Sequence, residues 1–269
     1  MSNNFINYEL LKKFDKQLFL KNEPCCWYNF HQFLTPEGFQ QLYQDYPALH
    51  LFEKHEGITR RDGQKPHDRY YLAYNISPYE GTGRGKAGEA AVQHQDLPQS
   101  WQLFVKELTT SRKYHSFIRS LFKVSDFTIR FDWHVATTNC DVSPHLDSYR
   151  KVGSHLFYFN TNQDWNSDWG GGTLLLAGKP EEVKNPDFSD FTSETQTQII
   201  DNRSFMFRNT PTAWHGVKPL TCPEGKYRRL FNIIFEFPHL KSQSSQFYST
   251  SPFYLPQKLV KKTFSLLKR

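Results

Sequence analysis

The spacing of apolar residues changes character at about residue 126. Before that point apolar positions return every three or four residues, the period of a helix buried on one side. Ile6, Leu10, Phe14 and Leu18 make one such stripe and predict a helix over residues 5–20. The short aromatic-rich segment 25–33 predicts a strand. Thr35, Pro36 and Glu37 then supply a capping hydroxyl, a proline for the first helical position and an acid for the first turn. Phe39, Leu42, Tyr43 and Tyr46 carry that helix forward, and Pro47 stops it. Residues 69–75 predict a strand. Trp101, Phe104, Val105 and Leu108 predict a helix, and Phe117, Ile118, Leu121 and Phe122 predict another.

After residue 126 short β-type runs follow one another, at 127–135, 155–160, 172–177, 196–200, 204–208 and 228–237, with turn residues between them. Many short strands without alternating helices predict a sandwich or closed double sheet rather than a parallel α/β fold. The expected fold class is therefore mainly β with helices, the β core lying C-terminal and the helices bracing it. A single domain over residues 1–269 is expected. Residues 1–125 would give helical support and substrate-side loops, 126–240 the core, and 241–269 a basic tail with a short amphipathic helix at 255–269.

Composition narrows the function. The 24 Phe and 14 Tyr among 269 residues are enough to build a real core. A mean hydropathy of −0.69 and the lack of a long uncharged apolar run argue against a membrane span. The first 16 residues mix charges into the apolar positions, unlike a secretory leader. Of four cysteines, Cys25 and Cys26 are adjacent and no Cys-x-x-Cys pair exists, so a reducing, cytoplasmic location is expected. The net charge of +6 invites a polyanion reading. The stretch 80–88 holds four glycines but lacks the Gly-Lys-Ser/Thr ending and the strand–helix context of a phosphate cradle.

The chemistry concentrates at Ser143-Pro-His145-Leu-Asp147-Ser. In an extended chain residues two apart face the same side, so His145 and Asp147 can reach one metal ion. His215, 68 residues beyond Asp147, offers a third ligand. Two histidines and a carboxylate on one side of an ion form the facial triad of non-haem Fe(II) oxygenases.

With these residues in place, the segment 127–237 resembles the prolyl-hydroxylase-like branch of the Fe(II)/2-oxoglutarate-dependent oxygenases. The resemblance rests on His145-Leu-Asp147, Leu156-Phe-Tyr158-Phe-Asn160, Asp168-Trp-Gly-Gly-Gly-Thr-Leu174, Trp214-His215-Gly-Val217 and Tyr227-Arg228-Arg229-Leu230, in that order. Residues 29–36 resemble the usual lead-in strand and helix, and residues 50–125 match nothing. The resemblance implies a double-stranded β-helix, or jelly-roll, core. It implies Fe(II) on His145, Asp147 and His215, with 2-oxoglutarate and O2 as cosubstrates and ascorbate as an accessory reductant. It also implies hydroxylation of an unactivated C–H bond in a small molecule, amino acid or peptidyl residue.

A cation on the last core strand is implied as well, because a dicarboxylate entering a buried site needs one, and guanidinium binds carboxylate bidentately. Arg229 shares its face with Phe231, Ile233, Phe235 and Phe237, whereas Arg228 shares a more polar face. Taking the apolar face as inward selects Arg229, with Arg228 as the alternate. Ser154, Leu156 and Tyr158 share one face of their strand. The Tyr158 hydroxyl stands where many relatives bond 2-oxoglutarate, and a plain core tyrosine is the equal alternative. Arg69, Tyr70, Arg130 and His134 are the candidate substrate-binding residues. Asp147 keeps the carboxylate that halogenating relatives lose. The second arginine usual in nucleic-acid demethylases is missing from the last strand, which disfavours a nucleic-acid substrate. The competing reading is a non-enzymatic basic jelly-roll module binding RNA or another anionic partner, and it leaves the triad unexplained.

Overall fold

The computed structural model describes residues 4–57, 65–77 and 90–240. The glycine-rich stretch 80–88 and the tail from 241 lie outside the described residues.

Two antiparallel sheets form the core. The larger has the strand order β1 (Trp27–His31), β10 (Arg203–Arg208), β7 (Lys151–Tyr158), β12 (Arg228–Glu236), β5 (Thr128–Ala136), β3 (Arg69–Tyr74) and β2 (Glu53–His55). A short strand, β4 (Ala91–Val92), pairs with β3 in parallel. The smaller sheet runs β6 (Val142–His145), β11 (Trp214–Val217), β8 (Leu174–Ala177) and β9 (Ser193–Gln196). From β5 onward the chain passes back and forth between the sheets, with β8 and β9 paired within the smaller one, which is the winding of a jelly roll. The mainly β architecture with N-terminal helices is the one the apolar pattern predicts.

The helices cover one face of the larger sheet. They are α1 (Tyr8–Lys13), α2 (Gln17–Leu20), α3 (Pro36–Gln44), α4 (Gln99–Thr110) and α5 (Arg112–Phe122). The Thr35 hydroxyl caps α3 by accepting from the Gly38 amide at 3.1 Å, and Pro36 fills the first position. Ser111 closes α4 and caps α5 through the Tyr114 amide. Trp101 of α4 packs on Phe231 of β12, ring centroids 5.0 Å apart, with Trp133 of β5 alongside.

Two local expectations are corrected. The helix over 5–20 is broken, because Phe14 turns extended and the Asp15 carboxylate accepts from the Gln17 amide, starting a new turn. Phe5, Ile6, Leu11 and Phe19 are the buried residues there, while Leu18 is 49 % exposed. The run at 196–200 contributes only Gln196 to a strand, since β9 lies earlier, at Ser193–Gln196.

His155 of β7 is fully buried in the helix–sheet layer, its Nδ1 3.2 Å from the Tyr114 hydroxyl and its Nε2 3.1 Å from the Ser204 hydroxyl. Burial holds its pKa well below the ordinary 6.5. The unfolded chain takes up a proton at His155 below that value, and the folded chain does not. Its stabilising effect is complete above pH 6.5 and is lost as pH falls from there toward the depressed native value. Stability is expected to fall by up to about 1.4 kcal/mol per pH unit from this group alone. Urea unfolding across that range checks it, with His155→Phe expected to remove that part of the slope.

Candidate active site

Both faces of the larger sheet are covered, one by the helices and the other by the smaller sheet. The space between the sheets holds a cavity of about 300 Å³. His145 ends β6 and His215 lies on β11, and the antiparallel register sets them directly opposite each other. Their ring centroids are 4.2 Å apart. Asp147 follows one turn of extended chain later, and one ligand atom from each of the three residues lies within 4.8 Å of the others. Both histidines bond through Nδ1 to a carbonyl two residues earlier in their own strand, at 2.9 Å: His145 to Ser143 and His215 to Ala213. A neutral imidazole with its proton on Nδ1 presents the lone pair of Nε2, the form a metal ligand requires.

Asp147 is ion-paired with Lys151 of β7 at 2.5 Å. Burial raises its pKa, but Lys151, His215 and His145 together outweigh burial and hold the carboxyl well below its ordinary range. The triad is thus a charged carboxylate beside two oriented imidazoles, a donor set that fits Fe(II).

Arg228 and Arg229 part company. Arg228 enters the cavity and is 4 % exposed. Its Nε donates to the Gly171 carbonyl at 2.5 Å, and its guanidinium lies over the Tyr158 ring at 5.3 Å. Its Nη2 is buried with no hydrogen-bond partner, and among the described residues it forms no salt bridge. Burial lowers its pKa. Arg229 points the opposite way, pairs with Asp164 and stacks on Tyr43 at 4.7 Å. The assignment of Arg229 to the inward face is therefore corrected. Phe231, Ile233 and Phe235 are apolar because they meet the helices. The cavity side of the strand carries the polar residues Arg228 and Asn232.

Ser154 lines the cavity. The Tyr158 hydroxyl does not: it bonds Thr173 at 2.8 Å and Thr197 at 3.3 Å, and its ring supports Arg228. Arg130 and His134 line the cavity, as the polar side of β5 predicts, and so does Arg69 of β3, but Tyr70 points to the helix-side core and its neighbour Tyr71 takes the cavity position. Burial and the nearby Arg69 keep His134 neutral, with a pKa near 4. Lys151, Thr173 and Asn232 also line the cavity and were not singled out by sequence. The alternation Arg228, Leu230, Asn232 in β12 was the available signal for Asn232.

No protein-family model matches the sequence, and no curated protein matches it either. Solved structures do match. A prolyl-4-hydroxylase from Pseudomonas putida aligns over 85 % of this chain and 100 % of its own, at TM-score 0.53 and 14 % identity. A prolyl 4-hydroxylase from Phytophthora capsici aligns over 97 % of this chain and 74 % of its own, at TM-score 0.53 and 13 % identity. The non-heme alpha-ketoglutarate-dependent carbocyclase SnoK from nogalamycin biosynthesis aligns over 84 % and 85 %, at TM-score 0.52 and 8 % identity. What is shared at these identities is the fold, the jelly roll of 2-oxoglutarate/Fe(II) oxygenases. Among the described residues no helix is long and apolar enough to cross a membrane.

Proposed function

We propose that this chain is a non-haem Fe(II)/2-oxoglutarate-dependent dioxygenase that hydroxylates an unactivated C–H bond. The observation that carries the reading is the pairing, in one cavity, of the His145–Asp147–His215 cluster with the buried guanidinium of Arg228. A buried cation is costly unless a ligand or side chain pairs with it. A dianion that chelates the metal at one end and meets Arg228 at the other supplies that partner.

The chemistry supplied when iron is bound is oxidative decarboxylation of 2-oxoglutarate by O2 to succinate and CO2, with the second oxygen atom placed on the substrate. His145 and His215 present Nε2, and Asp147 contributes the charge. Arg228 takes the far carboxylate, braced by Gly171 and Tyr158. Leu156, Phe207 and Val217 give the cavity apolar walls that keep water from the reacting C–H. Ascorbate fits as an accessory reductant. The substrate is a small molecule, amino acid or peptidyl residue, and nucleic acid is disfavoured. A single domain is supported, for the described residues, by the pairing of β3 with β5, which ties the N-terminal half to the core sheet. A cytoplasmic location is supported by four free thiols.

The test is anaerobic. Fe(II) and 2-oxoglutarate added together should give the visible absorption band of their chelate, and admitting O2 should release succinate. A protein that binds Fe(II) but yields no band would sink the 2-oxoglutarate reading.

Gly171 adds a sharper prediction. Its φ of +92° lies in the left-handed region, and a Cβ there would sit 2.9 Å from Arg228 Cδ. Gly171→Ala is expected to displace Arg228 and weaken 2-oxoglutarate binding about tenfold, the scale of a weakened hydrogen bond to a charged group. Fe(II) affinity should be unchanged, and titration of the absorption band reads both.

A further inference from the structure

One wall of the cavity has no part in holding metal or cosubstrate. On the cavity side of β5 and β12, Arg130, Asp132, His134 and Asn232 lie together, with Asp132 and Asn232 directly opposite in register. Arg130 Nη1 is 2.9 Å from Asp132, their side chains only 10 % and 2 % exposed, and Glu236 lies 4.0 Å from Arg130. Stability does not account for such a wall, because packed apolar residues in place of a buried ion pair are often at least as stable. Asn232 adds an independent sign. It is 8 % exposed and lines the cavity, yet its buried Oδ1 has no hydrogen-bond partner among the described residues. An acceptor left unmade in this way costs about 1–3 kcal/mol, and a ligand donor relieves it.

Resting on the oxygenase reading above, we propose that the substrate is a small zwitterion of the free α-amino acid type, its charged head group held against Arg130, Asp132 and Asn232. A head group with a carboxylate and an ammonium a few bonds apart needs opposite charges side by side. This wall supplies them: Arg130 for the carboxylate, Asp132 for the ammonium, and the Asn232 amide for either. Across the cavity Val142, Leu146 and Val217 offer an apolar surface to the side chain, near the metal cluster where oxidation occurs. A volume of about 300 Å³ that must also hold 2-oxoglutarate suits a small molecule. A residue inside a peptide lacks both charges.

The experiment uses the full chain loaded with Fe(II) and 2-oxoglutarate. Each of the standard free amino acids is added, and the absorption band and succinate release are read. At least one should shift the band and raise succinate release, while its N-acetylated, C-amidated form should not. Asn232→Ala and Arg130→Met should each raise the half-saturating amino acid concentration about tenfold or more. The 2-oxoglutarate band of each variant serves as the check on its folding. If no free amino acid acts, if the capped form acts equally, or if both folded variants respond like the unsubstituted protein, the proposal is overturned. A missing band in the unsubstituted protein is a different result, and it overturns the oxygenase reading from which the proposal is built.

Discussion

Replacing Asp147 with alanine is expected to weaken Fe(II) binding at least about a hundredfold and to reduce succinate formation to background. Loss of a partner one shell further out already costs about 10–100-fold in metal affinity, and Asp147 is itself a candidate ligand. It is also the one anionic member of the cluster, so its removal takes away the charge that offsets a dication. Lys151 would lose its 2.5 Å partner, and the cavity would then hold a cation where a metal has to enter. Anaerobic titration calorimetry with Fe(II) measures the effect. Affinity equal to that of the unsubstituted protein would remove the triad as the metal site.

The second large effect separates two adjacent arginines. Arg228→Ala is expected to weaken 2-oxoglutarate binding about a hundredfold or more, because truncating one partner of a buried charge pair costs roughly 2–5 kcal/mol. Arg229→Ala should leave that affinity unchanged. Its cost should be in stability, about 1 kcal/mol for a partly exposed ion pair with Asp164 and a ring contact with Tyr43. Titration of the absorption band and urea unfolding of both variants decide the matter. The reverse pattern would return the anchor to Arg229.

Much of this contrast was legible in the sequence, but not its sign. The alternation in 228–237 separates two faces correctly, since period two is a property of any strand. Which face looks into the cavity is not a local property. Phe231, Ile233 and Phe235 are apolar because α4 and α5 cover them, and a helix layer contributed from a hundred residues earlier leaves no mark on the strand itself. The same reasoning found Arg130 and His134, where the polar side of β5 happened to be the cavity side. His145, Asp147 and His215 were readable because two of them are fixed by local spacing. The third, His215, could only be offered as a candidate from elsewhere in the chain and strengthened by the family resemblance, because the β6–β11 register that places it is non-local. Within residues 50–96 the strand at 69–75 was readable, but β2 and β4 were not, because they are held by pairing with β3, itself joined to β5, rather than by strong patterns of their own. The broken helix near Asp15 shows the converse, a side chain-to-backbone bond outcompeting a plausible stripe.

That pairing of β3 with β5 has a bearing on how the molecule can be cut. Of the larger-sheet strands that lie after residue 126, β5 is the last on its side, and β3 occupies its outer hydrogen-bonding edge from Tyr70 to Ala73. A fragment beginning at residue 126 would keep His145, Asp147 and His215 and still present that edge bare, beside Phe131, Trp133 and Val135 stripped of their helices. Bare edges next to apolar surface recruit other chains. The N-terminal half therefore works as a built-in shield against self-association as well as a scaffold, and a fragment without it is expected to aggregate, which light scattering of the purified piece checks.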